Sequence, residues 1–357
     1  MNNVTLTVAG KQYGGWEEVT INLGIKQMAG DFSLVASDRW PGGWGAQPIR
    51  AGDACTVAID GATVITGYVD RVNPRYDADG HNITITGRDK AGDLVDCSAI
   101  YKSGHWSGAT LLQIASDLCQ PFSVEVKADA DLGAPFKDFA IQEGETVFEA
   151  ISRAAGMRGV LAISNGAGGL TLTRAGTARH DTTLKNPGNI KAASGEFSLN
   201  ERFSEYITKG QRRGTDDDVG TPELLSSPSG QVTDPGVKRY RPLIVLAEDQ
   251  GTKTTFEQRA AWERNVRIGN ALSVRATVFG WLDQGEKGKL WAINRLVKIV
   301  DRWLWLDDTL LIAGVSFYRG PRGTLTYLEL TNPAAFELLA EPEQQTAIAK
   351  VKAGSGR

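Results

Sequence analysis

Period-two alternation of apolar and polar residues dominates the first hundred positions. Val4-Thr5-Leu6-Thr7-Val8 puts every second side chain on one face, as a half-buried strand does. Thr20-Ile21-Asn22-Leu23 and Phe32-Ser33-Leu34-Val35 repeat the signal. Between the early strands and the next lies Trp40-Pro41-Gly42-Gly43-Trp44-Gly45, which excludes helix and central strand. Trp40 and Trp44 either fold back onto a barrel end or form a contact surface, since Trp is enriched at interface hot spots. They are the candidate interface residues of the chain.

The same β pattern occurs twice. Residues 57–94 hold a strand, the turn Asp60-Gly61, the run Val64-Ile65-Thr66-Gly67-Tyr68-Val69, a polar turn, and Asn82-Ile83-Thr84-Ile85-Thr86. Residues 296–336 hold Leu296-Val297-Lys298-Ile299-Val300, then Leu311-Ile312-Ala313-Gly314-Val315, the turn Gly320-Pro321-Arg322-Gly323 and a final strand. Gly67 and Gly314 are expected at equivalent points, since an isolated strand glycine marks a bulge or sharp bend. A duplicated β unit predicts two similar small barrels. The alternative is two unrelated antiparallel meanders.

Between the repeats the period changes. Leu111, Leu112, Ala115, Leu118 and Cys119 fall on one helical face that stops before Pro121. Thr146 with Glu149 three residues later forms a capping box, ahead of the stripe Val147, Phe148, Ile151, Ala154 and Ala155, closed by Gly156. Strands around residues 124–126, 159–163 and 170–173 complete an α/β unit, the last two joined by the glycine-rich stretch 164–169. No helix follows that stretch, so it reads as a hairpin turn and not as a phosphate cradle. Residues 190–202 and 203–209 read as strands. Residues 212–238 are rich in Gly, Pro, Ser and Asp, which predicts a long excursion with little regular structure. A helix over 256–270 is expected, capped by Thr255 with Gln258, then a strand over 272–281 and a short helical tail from Phe336 broken at Pro342. Residues 354–357 are expected to be disordered.

The reading is therefore mainly β with α+β insertions. Residues 1–97 form a first barrel and 98–175 an α/β domain. Residues 176–245 with 271–331 form a second barrel, and 246–270 with 332–357 a small helical region and tail.

Composition narrows the function. The chain has 357 residues, 41% hydrophobic and 23% charged, with a formal net charge of -3. No basic field exists to hold a polyanion, which argues against nucleic-acid binding as the main task. The first residues lack the basic-then-apolar pattern of a signal peptide. No apolar run approaches the ~20 residues that span a bilayer. Three scattered cysteines, Cys55, Cys97 and Cys119, supply neither a disulfide scaffold nor a zinc site and fit a reducing compartment. His81, His105 and His180 sit in polar stretches and read as surface residues. Asp216-Asp217-Asp218 lacks the ligand spacing of a calcium loop. Neighbours such as Asp70-Arg71 and Arg88-Asp89 read as exposed ion pairs. No nucleophile motif, HExxH or P-loop is present. No catalytic, cofactor or metal site is expected.

The ordered set of motifs resembles the baseplate hub proteins of contractile-tailed phages, the Mu-like tail hub family in particular. The phage T4 hub and the N-terminal region of type VI secretion spikes are similar at greater distance. The carrying residues are Ile49-Arg50-Ala51-Gly52-Asp53, Gly67-Tyr68-Val69-Asp70, Ile85-Thr86-Gly87-Arg88-Asp89-Lys90 with Asp93-Leu94-Val95-Asp96, Arg241-Pro242-Leu243, Arg259-Ala260-Ala261-Trp262-Glu263, and Gly280-Trp281 with Leu290-Trp291. The set covers nearly the whole chain; no single motif is specific. The resemblance implies a non-enzymatic homotrimer. Its six barrels would form a pseudo-sixfold ring that joins the tail tube and adjacent baseplate proteins to a membrane-piercing spike. DNA would pass the channel without specific binding. It also implies a place in the virion tail baseplate, with assembly in the host bacterial cytoplasm. Two other classes remain: a tail-associated cell-wall hydrolase, and a carbohydrate-binding β module of a phage fibre.

Overall fold

Alternating residues build the strands, and a computed structural model shows how they join. The structure describes residues 3–37, 49–78, 81–210, 229–247, 253–283 and 289–336. Trp40, Trp44, Asp216-Asp217-Asp218, the predicted tail helix beyond Phe336 and residues 354–357 lie outside the described residues.

The first unit comprises β1 (Val4–Val8), β2 (Lys11–Tyr13), β3 (Glu18–Gly24), β4 (Asp31–Ser37), β5 (Ala54–Ile59), β6 (Ala62–Tyr76) and β7 (His81–Asp89). An α/β unit follows: α1 (Ala91–Asp96), β8 (His105–Ser107), α2 (Leu111–Cys119), β9 (Glu125–Ala128), β10 (Asp138–Ala140), α3 (Val147–Gly156), β11 (Leu161–Ser164) and β12 (Gly169–Thr173). The chain then forms β13 (Arg179–Asn186), β14 (Ile190–Phe197), β15 (Glu205–Gly210), β16 (Ser229–Thr233), β17 (Pro242–Ala247) and α4 (Lys253–Asn270). It closes with β18 (Leu272–Phe279), β19 (Leu296–Asp301), β20 (Leu306–Gly320) and β21 (Gly323–Thr331).

Strand order reveals the duplication. The path β3-β4-β7-β6-β5 recurs as β14-β18-β21-β20-β19, antiparallel at every step of both copies. The closing meanders match in length: 6, 15 and 9 residues in β5, β6 and β7, and 6, 15 and 9 in β19, β20 and β21. Each long strand carries a bulge, at Asp70 in β6 and at Ala313 in β20. The copies differ at their start. β1 pairs antiparallel with β5, whereas β13 pairs parallel with β19. The extra strand β2 adds one chain reversal to the first copy, which turns β1 over.

The bulges correct the glycine equivalence. Aligning them, and the inward rows Val69 with Ile312 and Val72 with Val315, sets Gly67 opposite Leu310 and Gly314 opposite Arg71. The glycines lie on opposite sides of the bulge and serve different ends. A Cβ on Gly67 would fall inside the Arg88 carbonyl oxygen and 2.5 Å from Asp89 Cα. A Cβ on Gly314 would meet only the Glu329 side chain, at 3.0 Å.

The two units are one continuous sheet. β20 pairs with β3, from Gly314 opposite Gly24 to Arg319 opposite Val19. One apolar cluster, from Leu6 and Ile85 to Trp281 and Leu328, fills both. Trp281 is fully buried and its indole N–H donates to the Tyr318 and Leu325 carbonyls, at 3.1 and 3.0 Å.

The α/β unit has a separate core. α3 carries the predicted capping box, with Glu149 N–H donating to Thr146 Oγ1 at 3.2 Å and Thr146 N–H to Glu149 Oε2 at 2.8 Å. α2 buries Ile114 in place of the expected Leu112, which is 37% exposed. α1, placed by the sequence in the first barrel, buries Ala91 and Leu94 in this core. The 164–169 stretch is the predicted hairpin between β11 and β12, and its Gly166 carbonyl accepts from Thr66 N–H of β6 at 2.9 Å.

Three predictions fail around β15. β15, β16 and β17 join no barrel; they form a separate sheet in the order β16-β15-β17, with α4 against it. Alternation shows that a segment is a strand and is silent on which sheet it enters. β16 stands inside the predicted excursion 212–238, whose residues 212–228 lie outside the described set. α4 begins at Lys253, so Thr255 lies within its first turn and is not its cap.

Candidate assembly surfaces

Among the described residues no three of His, Cys, Asp or Glu gather as a metal site. His81 stacks near Tyr76, ring centroids 5.8 Å apart, and His105 pairs with Asp138 at 3.3 Å, both near solvent. His180 is a correction. It is enclosed, its Nδ1 lying 2.7 Å from Asp283 Oδ2 with both side chains fully buried. Ala292 N–H donates to His180 Nε2 at 3.4 Å, which leaves Nδ1 to donate to Asp283 Oδ2. Thr182 Oγ1 donates to the other Asp283 oxygen. The reason lies in β13: His180, Thr182 and Leu184 form its inward row, polar in composition yet turned to the core. Closed to substrate, this cluster fastens β13 to the segment around Asp283.

Two of the three cysteines, Cys55 and Cys119, are buried. Burial pushes the Cys55 and Cys119 thiols up to about 12, with Asp70 and Asp53 adding to the effect on Cys55. Cys97 is exposed.

Charged residues of the first repeat act as joints. Successive strand residues point to opposite faces, so Arg88 and Asp89 do not pair. Arg88 donates to Asp70 at 2.8 Å and, bidentately, to Asp96 at 3.1 and 2.7 Å, tying β6, β7 and α1 together. Hydrogen bonds to Asp96 and Asp70 raise the Arg88 pKa further, and the Arg88 guanidinium in turn lowers that of Asp96. Asp89 is buried. Its carboxylate accepts from Gly30 N–H at 2.8 Å, Ala91 N–H at 2.9 Å and Ser164 Oγ at 2.6 Å, which joins barrel to α/β unit. Burial raises its pKa despite those bonds.

Exposed apolar groups cluster at particular places. The β19–β20 turn presents Trp303 and Trp305, 82% and 85% exposed. Sequence reading passed over this pair; the signal was two tryptophans in a four-residue break between strands. Buried Asp301 fixes the turn, accepting from Trp303 N–H at 2.8 Å, Leu304 N–H at 3.1 Å and Asn186 Nδ2 at 3.1 Å. Trp305 takes φ 54°. The equivalent turn of the first repeat is Asp60-Gly61, small and polar, with φ 47° and 86°. A second apolar strip, Ile244 and Leu246, lies on β17, an edge strand.

This fold has close relatives. Residues 3–89 match the family described as Mu phage baseplate assembly protein GpP-like, N-terminal. Residues 91–174 match baseplate hub protein gp44-like, second domain, and 252–339 match Mu phage baseplate assembly protein GpP, fourth domain. The baseplate hub protein gp44 of Escherichia phage Mu is 37% identical over 304 residues, 84% of this chain and 79% of that protein. The crystal structure of the 43 kDa tail protein of prophage MuSo2 from Shewanella oneidensis is 37% identical, with a TM-score of 0.83 over 94% of this chain and 100% of that one. At the level of fold alone, the E. coli c3393 protein matches with 10% identity and a TM-score of 0.53 over 95% of this chain and 80% of that one. It is described as a type VI secretion component structurally similar to the T4 tail proteins gp27 and gp5. Matched at 37% identity over 84% of its length and by three baseplate family models, the chain belongs to the Mu-like baseplate hub family of phage tail proteins.

Proposed function

We propose that the protein is a non-catalytic homotrimer whose six barrels close a pseudo-sixfold ring between the tail tube and a central spike. One observation carries the reading: the five-strand path occurs twice in one chain, so three chains supply six like units. Such a ring converts threefold into sixfold symmetry. DNA passes its channel without specific contact, in keeping with a net charge of -3. The protein is assembled in the host cytoplasm and acts within the virion tail.

The turns of the two repeats divide the labour. Trp303 and Trp305 appear three times per ring, alternating with three Asp60-Gly61 turns. Aromatic knobs of threefold repeat suit the spike, and the features shared by all six barrels suit the tube.

Native mass spectrometry, with and without the spike protein of the same phage, tests the reading. A three-chain mass is expected, and electron microscopy should show a channel wider than the ~20 Å of a DNA duplex. A monomer that persists with spike present, or a ring plugged on its axis, overturns it. Clearing of a peptidoglycan suspension would place the protein among the hydrolases instead.

A further inference from the structure

The junction inside each chain is made by two specific strand edges, and their repeats stand open. In the junction, residues 314–319 of β20 pair along one edge with β21 and along the other with β3. The bulge alignment makes β6 the counterpart of β20, and shared strand order makes β14 the counterpart of β3. Residues 71–76 of β6 pair with β7 alone. β14 pairs with β18 alone. No other described strand covers either edge. Burial tells the same story. Val315, Phe317, Val19 and Ile21 at the junction are buried. Their counterparts Val72, Pro74, Ala193 and Gly195 are half-buried or exposed.

We infer that β14 of one chain pairs antiparallel with residues 71–76 of β6 in a second copy, repeating the β3–β20 junction between protomers. This rests on the ring reading above and specifies its contact. The contact is head-to-tail, second barrel to first barrel, so it closes rings rather than stopping at pairs.

The internal junction dictates the register. Val315 faces Leu23, Ser316 faces Asn22 and Phe317 faces Ile21. Transferred through the aligned strands, Val72 faces Phe197, Asn73 faces Glu196 and Pro74 faces Gly195. The chemistry agrees at each place. Val72 and Phe197 form an apolar pair in place of Val315 and Leu23, which accounts for an exposed Phe197. Asn73 and Glu196 form a polar pair where Ser316 Oγ bonds Asn22 Oδ1 at 2.6 Å. Glu196 also lands between Arg71 and Arg75, both exposed and both at diagonal positions that long side chains reach across a sheet. Pro74 withholds one N–H, which an edge strand tolerates, and it stands opposite Gly195, which adds no side chain.

Charge reversal and cross-linking test the contact in the full chain, with and without spike. Glu196→Arg should weaken assembly by about tenfold or more, since attraction to two arginines becomes repulsion. Arg71→Glu with Arg75→Glu should do the same, and combining all three substitutions should restore assembly. These sites are exposed, and unchanged circular dichroism confirms that each variant folds. In a Cys97→Ser background, Asn73→Cys with Glu196→Cys should yield covalent multimers up to three chains on oxidation. Three-chain assemblies that ignore the reversals and give no inter-chain disulfide would refute this contact while leaving the ring intact. A chain that stays monomeric with spike present would refute both.

Discussion

Replacing Gly67 by alanine isolates the closest backbone approach in the first repeat. β6 crosses the end of β7 so tightly that the new methyl overlaps the Arg88 carbonyl and stands 2.5 and 2.7 Å from Asp89 Cα and carbonyl carbon. These are backbone atoms, and Asp89 is pinned by three hydrogen bonds, so no side chain can swing away. Overpacking of a fixed core costs about 1–3 kcal/mol, here at the upper end. Loss of glycine flexibility from the unfolded chain returns about 0.4–1 kcal/mol. The net is a destabilisation of about 2 kcal/mol, larger for valine. Gly314→Ala is the control. Its methyl meets only Glu329, a side chain 59% exposed whose surface ion pair with Arg275 can yield, so stability should change by no more than about 0.5 kcal/mol. Urea unfolding of both variants, followed by fluorescence and far-UV circular dichroism, measures the difference. Equal midpoints for the two would refute the assignment of distinct roles to these glycines.

Three further outcomes follow from the joints and the core. A thiol reagent at pH 8 should label Cys97 rapidly and Cys55 and Cys119 only on unfolding, because burial holds both buried thiols protonated with values of about 12. Asp89 has its pKa raised in the folded state, so its protonation favours folding: its contribution is full below the ordinary carboxylate range and is lost as pH rises through the raised value. Asp89→Asn, whose amide also opposes one donor, should therefore fall further behind the parent at pH 4 than at pH 7 in urea titrations. Arg202→Met strips the partner from Asp234, which is 3% exposed and bonded to Arg202 at 2.9 and 2.8 Å. The uncompensated carboxylate should cost about 3 kcal/mol, and hydrogen exchange should accelerate in β16 while β6 and β20 stay protected.

Local chemistry was legible in the sequence, and partnership between distant segments was not. The capping box of α3 needs four consecutive residues, and both its hydrogen bonds form. In the meander of the second repeat, β19 is readable because its burial alternates without a break. By contrast, Gly67 and Gly314 share neighbours of similar type yet differ in register, since the bulge that sets register is a property of pairing. β15 alternates like any barrel strand, and only its partners β16 and β17 remove it from the barrel. His180 hid because two of its inward companions, Thr182 and Asp283, are polar as well. The Trp303–Trp305 turn escaped notice because exposure of a tryptophan depends on how Asp301 folds the backbone beneath it.

Pairing of β3 with β20 has a consequence for synthesis. Val19 and Arg319 sit opposite each other, so the outer edge of β3 has no partner until some three hundred residues later. At about 5–20 residues per second, that edge waits roughly 15–60 s on the ribosome. Neighbouring ribosomes on one message carry chains at later stages, each with its own β20 emerging. The ladder that completes one molecule forms with equal backbone chemistry between two, so crowded translation should yield domain-swapped pairs, and slow, dilute expression should suppress them.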